Sequence, residues 1–185
     1  MTTSKSSPDS RETCYTIGHS NYPLEQFIEI LSAHEIERVI DVRRFPASRK
    51  WPHFNAQSLS ETLPAAGIDY VSLPELGGRR SPRPASPHFA WQTDAFQGYA
   101  DYMDTPSFEA GLKRLIPLAL EKRSTLMCAE VLPWRCHRSL IADSLIARGW
   151  EVIEIMSAKE ARVRQLPPFA RVEGTRVIYD VGVLF

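Results

Sequence analysis

The sequence predicts an α/β fold: a three-layer α/β/α sandwich around a mainly parallel, Rossmann-like sheet of about five strands. Five short apolar runs alternate with segments in which apolar residues recur every three or four positions. The short runs are typical of strands and the periodic segments of helices, and their alternation favours a parallel sheet covered by helices. The composition, 43% hydrophobic and 24% charged residues, is that of an ordinary globular protein.

Three strands are predicted in the first half of the chain. Their apolar runs end at Gly18, before Arg43 and before Pro74, and residues of these types interrupt strands. Two helices are predicted between the strands from their apolar spacing, and Gly67 ends the second helix. The predicted elements are a strand at 14–17, a helix at 23–34, a strand at 38–42, a loop at 45–55, a helix at 57–66 and a strand at 68–73.

A long irregular stretch at 74–95 separates the third strand from the elements that follow. Loops of more than ~12–15 residues inside a compact domain are often functional. The later elements are predicted to be helices at 96–103 and 107–121, a strand at 125–128, a loop at 131–136, a helix from about 137 to Gly149, a strand at 150–155, and an edge strand or packing tail at 177–185.

Domain organisation and location follow from length and composition. Residues 1–13 are polar and are predicted to form a disordered tail, and 14–185 is predicted to be one domain, since domains usually contain ~100–200 residues. No apolar run approaches the ~20 residues that span a bilayer, so no membrane attachment is expected. The N-terminus lacks the apolar segment of a secretory signal, and three cysteines favour a reducing cytoplasm over a disulfide scaffold.

The predicted topology brings polar residues to one edge of the sheet. Parallel strands that are joined by right-handed crossovers all end at the same edge, and ligands of open α/β sheets bind there. The residues expected at this edge are His19 and Ser20 after the first strand, Asp41, Arg43 and Arg44 at the second, Glu75, Gly77 and Gly78 after the third, and Cys128 and Glu130 at the fourth.

The turn between the fourth strand and the last helix contains the residues with the clearest chemistry. Cys136 lies near the predicted helix start, where the helix dipole and the neighbouring His137 or Arg138 would favour a thiolate nucleophile. Glu130 could act as an acid or base. The alternatives are that Cys136 is a small buried residue and that the carboxylates pair with arginines. Cys128, inside an apolar strand, is predicted to be a core residue.

The loops at this edge are rich in arginine and aromatic residues, although the net charge of the chain is zero. Arg43, Arg79 and Arg138 are predicted to hold an anionic group, because the planar guanidinium suits phosphate and carboxylate oxygens. Aromatic neighbours suit a nucleotide or single-stranded nucleic acid, and Gly77-Gly78 would let a ligand approach the backbone closely. The alternative is a solvated charged rim above packed aromatic side chains.

Several motifs resemble a known family. The run MCAEVLPWRCHRSLIAD is similar to the signature of the DUF488 family, MCAE-x5-CHRSLIAD, and so are YTIGHSNYPLEQF, DVRRFPAS, Phe54-Asn55, LPELGG and GYADYM elsewhere in the chain. The resemblance extends over about 15–156. The family is a domain of unknown function, so the resemblance implies a fold and a site but neither a reaction nor a cofactor.

No familiar catalytic motif fixes the chemistry. Six residues separate Cys128 from Arg135, whereas the cysteine phosphatases require C-x5-R, and neither a dinucleotide fingerprint nor a P-loop occurs. The spacing of Cys128, Cys136 and His137, with His19 as a further ligand, is not a standard zinc pattern, so no metal residue is assigned.

Three functions are consistent with these observations. We expect an enzyme that acts on a phosphate-bearing or nucleotide-like ligand through Cys136, Glu130 and His137. The first alternative is a module that binds a nucleotide or single-stranded nucleic acid without turnover, and the second is a metal-dependent hydrolase.

Overall fold

A six-stranded sheet forms the centre of the protein, and the computed structural model describes residues 11–181. The strands lie in the order β3-β2-β4-β1-β5-β6. Neighbours from β3 through β5 are parallel, and β6 is antiparallel to β5. The α/β class with a mainly parallel sheet is therefore confirmed. The strands are β1 (Thr13–Gly18), β2 (Arg38–Asp41), β3 (Asp69–Ser72), β4 (Ser124–Cys128), β5 (Glu151–Ile155) and β6 (Ala161–Val163).

Helices cover both faces of the sheet. The described helices are α1 (Leu24–Ala33), α2 (Ala56–Ala65), α3 (Asp94–Met103), α4 (Pro106–Glu121) and α5 (Arg138–Ile146). Apolar residues of α1 and α2 form one core with strand residues such as Val39 and Met127. Residues of α3, α4 and α5 form a second core with strand residues such as Ile40 and Leu126. β1, β2 and β4 are buried on both faces, so their apolar residues do not alternate strictly with polar ones.

The C-terminal part of the chain differs from the prediction. Strand β6 was not predicted, and a further antiparallel pair forms from β7 (Arg171–Glu173) and β8 (Arg176–Ile178). The apolar run predicted as an edge strand or packing tail contributes β8 and the buried Tyr179 to the second core, and its last residues lie outside the described part. So do residues 1–10 of the predicted tail.

The connections define a crevice at the centre of the sheet. The chain leaves β1 towards β2 through α1, on one face, and leaves β4 towards β5 through α5, on the other face. Because β1 and β4 are hydrogen-bonded neighbours, the two connections diverge from adjacent strands. Such a switch point is where open α/β sheets bind their ligands, at the carboxyl ends of the strands.

Candidate functional site

Backbone contacts join the ends of β1 and β4 directly at the crevice. Gly18 lies opposite Cys128 in the register of the two strands. The pairing continues beyond the strands, because the His19 N–H donates to the Cys128 carbonyl at 2.9 Å and the Ser20 N–H donates to the Ala129 carbonyl at 2.9 Å. The segments after both strands are therefore held at defined positions.

Glycine is required where β1 approaches the segment after β4. A Cβ added to Gly18 would lie 1.9 Å from the Glu130 carbonyl oxygen, which is far inside van der Waals contact. Since the obstructing atoms belong to the backbone, a side chain could not avoid them by rotating. Gly18 thus allows the strand end and the Glu130 segment to pack together.

Two thiols and an imidazole meet at the carboxyl end of β4. The Nδ1 atom of His137 lies 3.9 Å from Cys128 Sγ and 3.8 Å from Cys136 Sγ, and the three ligand atoms lie within 4.8 Å of one another. The other ring nitrogen, Nε2, donates to the Val42 carbonyl at 2.9 Å. We call Cys128, Cys136 and His137 the Cys-Cys-His cluster.

The two thiols differ in acidity. The hydrogen bond to Cys136 and burial raise the pKa of Cys128 well above its usual value. Burial would also raise the pKa of Cys136, but hydrogen bonds from Cys128 and His137 and the charges of His137 and Arg138 outweigh it and hold that pKa well below the usual value. The pair therefore favours one thiolate, on Cys136.

Arg138 is an interior residue of the site. Its side chain is buried, with 1% of the residue exposed, and it donates to the backbone carbonyls of Glu130 and Val131, the latter at 2.7 Å. These bonds hold the start of α5 against the segment after β4. Arg138 thus positions the loop and places a positive charge near both thiols.

Asp41 and Arg43 form a buried ion pair at the end of β2. Arg43 donates to both carboxylate oxygens of Asp41, at 2.8 and 2.6 Å, and also to the Phe54 carbonyl at 2.8 Å. Its third nitrogen lies 3.1 Å from Nε2 of His19, while Nδ1 of His19 lies 2.9 Å from the Ser20 carbonyl. Arg43 therefore fixes His19 and the loop at Phe54. Its ion pair with Asp41 is the structural alternative that the sequence offered to a role in ligand binding.

The buried position of His19 predicts a loss of stability on acidification. Burial and then the charge of Arg43 lower the pKa of His19 to about 4, against about 6.5 in an unfolded chain. Between these values the unfolded chain binds a proton that the native state excludes, so the free energy of unfolding falls as the pH drops. From pH 7 to pH 5 this residue should account for about 2 kcal/mol.

Urea denaturation at both pH values, on reduced and metal-free protein, measures this effect. In His19→Gln the free energy of unfolding should fall less between pH 7 and pH 5 than in the parent, by about 2 kcal/mol. Comparing the two falls, rather than absolute stabilities, cancels the shared contribution of His88, whose pKa burial also lowers. If the free energy of unfolding falls equally in the parent and the variant, His19 is protonated in the native state as readily as in the unfolded one.

Two adjoining cavities open beside these groups. The small cavity, of about 210 Å³, is lined by Cys128, His137 and Gly78. The large cavity, of about 680 Å³, is lined by His19, Ser20 and basic and aromatic side chains. Both include Glu130, so they form a continuous groove across the end of the sheet. The residues that line both cavities are Arg43, Phe45, Arg79, Ala129 and Glu130.

The large cavity carries an excess of positive charge. Lys50, Arg79 and Arg135 line it and make no ion pair with any residue in the range 11–181, whereas Glu130 is the one carboxylate among its described lining residues. Phe45, 61% exposed, lies beneath the guanidinium of Arg79 at 5.7 Å from ring centroid to Cζ. These groups could contact an anion that also has a flat ring.

A separate cavity of about 480 Å³ beside the start of α4 has a different character. Its basic residues are already neutralised: Arg83 and Arg176 contact Asp104 at 3.3 and 2.7 Å, and Arg148 contacts Glu109 at 2.7 Å. The groove at the end of the sheet is therefore the better candidate for an anion site.

The predicted site residues divide into two groups in the structure. Those that line the groove are His19, Ser20, Arg43, Gly78, Arg79, Glu130 and His137. Those behind its walls are Cys136, Asp41, Gly77 and Arg138, all buried.

Two expectations about individual residues change. Cys128 is buried at 7% exposure, as expected for a core residue, but it also lines the small cavity, whereas Cys136, at 3% exposure, does not line it. Gly77 was expected to let a ligand approach the backbone, but it is packed against Arg44. A Cβ added to Gly77 would lie 2.4 Å from Arg44 Cβ, so the space beside this glycine is filled by the protein itself.

Some lining residues were not assigned to the site from the sequence. Phe45, Lys50, Trp51 and Arg135 line the large cavity. The signal for the first three is the basic and aromatic pattern of the loop after β2, which marks the loop as a whole and no single residue in it. In the structure that loop contains a 3-10 turn at Pro52–Phe54.

Comparison with known proteins places the chain in a family. The family model described as "Domain of unknown function DUF488" matches residues 23–145, which is more than half of the chain and includes the Cys-Cys-His cluster but not His19. Neither the curated proteins nor the solved structures that were compared contain a match. Within the described part of the chain, no helix is both long and apolar enough to cross a membrane. The chain therefore belongs to the DUF488 family, as its sequence motifs had predicted.

Proposed function

We propose that the protein is an enzyme that binds a small phosphate-bearing or nucleotide-like anion in the groove and acts on it with the Cys-Cys-His cluster and Glu130. The observation that carries this proposal is the position of the cluster: Cys128 and His137 line the small cavity, which continues into a basic cavity large enough for a nucleotide-sized ligand. Arg79, Lys50 and Arg135 contact the anionic group, and Phe45 provides an aromatic surface for a ring.

Each reactive group has a role that its surroundings support. The Nδ1 atom of His137 faces both thiols, so the imidazole can accept a thiol proton. Glu130 is exposed in the groove and can exchange protons with a bound ligand. Cys128 is the thiol that a ligand in the small cavity would meet first. Three cysteines without a disulfide partner favour a reducing compartment, and we keep the cytoplasm as the proposed location.

Ligand binding is tested by thermal shift with sulfate, phosphate, mono- and dinucleotides, and short single-stranded DNA and RNA. A ligand at ~100 times its dissociation constant adds roughly 2.7 kcal/mol to the free energy of unfolding, which is easily detected. We expect at least one phosphate-bearing ligand to stabilise the protein, with an affinity that falls as salt is added. Replacing both Arg79 and Arg135 by alanine should lower that affinity by about tenfold or more, since each removes a charged hydrogen-bond donor.

A matched control distinguishes anion binding in the groove from a general effect of positive surface charge on the affinity. Arg171→Ala removes an exposed arginine from β7, whose partners are Glu173 and Asp180, and should leave the affinity unchanged. If no anion binds, or if the control weakens binding as much as the groove variant does, the anion site is refuted.

The main alternative is a module that binds the same ligands without turnover. The stacked Phe45, Arg44 and Arg79 favour it, because such a surface binds nucleotide bases without chemistry. Glu130→Gln and Cys128→Ser distinguish the two functions once a ligand is known. The enzyme requires that turnover is lost in both variants while binding persists, and the module requires that the parent protein has no turnover to lose.

A further inference from the structure

We propose that the Cys-Cys-His cluster is a zinc site with three protein ligands, whose fourth position opens into the small cavity. The inference deepens the proposed function, because it names the group that meets the ligand there, and it develops the third functional alternative of the sequence analysis. It stands on four observations: the spacing of the ligand atoms, the orientation of the imidazole, the open side of the cluster and its balance of charge.

The spacing of the ligand atoms is close to that of a tetrahedral zinc site. Zinc binds sulfur at ~2.3 Å and nitrogen at ~2.0–2.1 Å, so tetrahedral angles place a sulfur and a nitrogen ligand about 3.6 Å apart. The two sulfur-to-Nδ1 distances here are 3.9 and 3.8 Å. The two sulfur atoms lie within 4.8 Å of each other, whereas a tetrahedral site places them about 3.8 Å apart. A movement of up to about 1 Å would therefore bring the three groups onto one ion.

The imidazole of His137 is oriented as in a metal ligand. Its Nε2–H donates to the Val42 carbonyl at 2.9 Å, directly after β2. In the neutral ring this places the lone pair on Nδ1, which faces both sulfur atoms. Histidines that bind metals almost always donate their other N–H to a carboxylate or a carbonyl in this way.

One side of the cluster faces the small cavity. Cys128 and His137 line it, and Gly78 leaves the ring accessible, since an added Cβ would lie 2.9 Å from Nδ1. Within residues 11–181 the group of potential ligands contains three members and no fourth cysteine, histidine or carboxylate. A structural zinc site is closed by four protein ligands, whereas a catalytic site keeps one position for water or substrate. The cluster fits the second kind.

The charges balance when zinc is bound. Two thiolates, a neutral imidazole and Zn²⁺ together have no net charge. The fourth position then offers a Lewis acid to an oxygen of the anion or to a water molecule.

Metal titration of the intact protein tests the site. Protein that has been reduced and freed of metal with a chelator is titrated with Zn²⁺ against a chromophoric competitor, and separately with Co²⁺. We expect one equivalent of tight binding, and a cobalt spectrum with thiolate-to-metal charge transfer and the strong visible bands of four-coordinate geometry. Cys136→Ala and His137→Ala should each weaken binding by more than about 100-fold, since loss of even an outer-shell partner costs 10–100-fold.

Cys14→Ala is the matched control, because Cys14 is equally buried but lies in the second core away from the cluster. The Cys14→Ala variant should bind zinc with the same affinity as the parent protein. The inference is overturned if the parent binds no stoichiometric zinc, if the cobalt spectrum lacks thiolate charge transfer, or if the Cys14 variant loses binding as the cluster variants do. The spectrum of the parent decides the matter even if a cluster variant does not fold.

The same preparations separate this inference from the proposed function. Phosphate and nucleotide binding is measured on metal-free protein, on zinc-loaded protein, and on the variant in which Arg79 and Arg135 are replaced by alanine. Zinc binding without anion binding would refute the proposed function alone, and anion binding without zinc binding would refute the zinc site alone.

Discussion

Asp41→Asn is expected to destabilise the protein by about 3–5 kcal/mol, because it leaves the Arg43 charge buried without a carboxylate. Asp41 is fully buried and Arg43 is 6% exposed, and the pair is joined at two oxygens. The Tyr70 hydroxyl also donates to Asp41, at 2.6 Å, and would lose its charged acceptor. Urea denaturation at pH 7 gives the change in the free energy of unfolding directly.

An exposed pair supplies the control for this experiment. Glu173→Gln removes a carboxylate from Arg171 on the surface, where both side chains are well exposed and Asp180 remains as a partner. It should cost less than about 1 kcal/mol. Adding Arg43→Met to Asp41→Asn should restore part of the lost stability, because the unpaired charge is then gone. Equal costs for the buried and the exposed substitution would contradict the role assigned to Asp41.

Gly18→Ala is expected to cost about 3 kcal/mol, the upper end of the usual range for overpacking. Its Cβ would overlap the Glu130 carbonyl oxygen and approach Val131 Cα to 2.8 Å, so the segment after β4 must move. The same carbonyl accepts a hydrogen bond from Arg138. Thermal and urea unfolding measure the stability, and anion and zinc titrations should show weakened binding, because the displaced segment leads to Cys136.

Gly174→Ala is a suitable comparison for Gly18→Ala. Gly174 has open space around it but a φ of +62°, so alanine is strained there without a clash. The cost should be about 1 kcal/mol, from the left-handed backbone alone. Neither titration should change, because β7 and β8 are far from the cluster in the chain and contribute no lining residue to the groove. Unchanged binding in Gly18→Ala would show that the Glu130 segment can move without disturbing the site.

All five parallel strands could be predicted, because each contains a short group of apolar residues between segments of helical or turn character. β1, β2 and β4 are almost fully buried, whereas β3 and β5 are partly exposed, and the predictions overlap all five. All three residues of β6 are exposed, and contacts such as that of Arg162 with Glu154 at 2.7 Å hold the strand without producing a periodic sequence pattern. The insertion of β4 between β1 and β2 depends on long-range pairing, so no local pattern indicates it.

The position of the site was predictable from topology, but the roles of its residues were not. All parallel strands end at one edge, so the convergence of His19, Arg43 and Cys128 required only the strand assignments. A 3-10 turn at Pro133–Arg135 immediately precedes the buried Cys136, whereas Cys128, at the end of β4, lines the cavity. The length of the loop between β4 and α5 does not reveal this turn.

The central position of β1 has a consequence for how the protein reaches its native state. Among residues 11–181 this strand comes first, yet its partners in the sheet are the late strands β4 and β5, and the contact between Cys14 and Ser124 spans 110 residues. Such non-local pairing slows folding, because a long loop must close before the contacts compensate for its lost entropy. During synthesis the first strand emerges long before its partners. The groove, which requires the ends of β1, β2 and β4 together, can form only after most of the chain has left the ribosome.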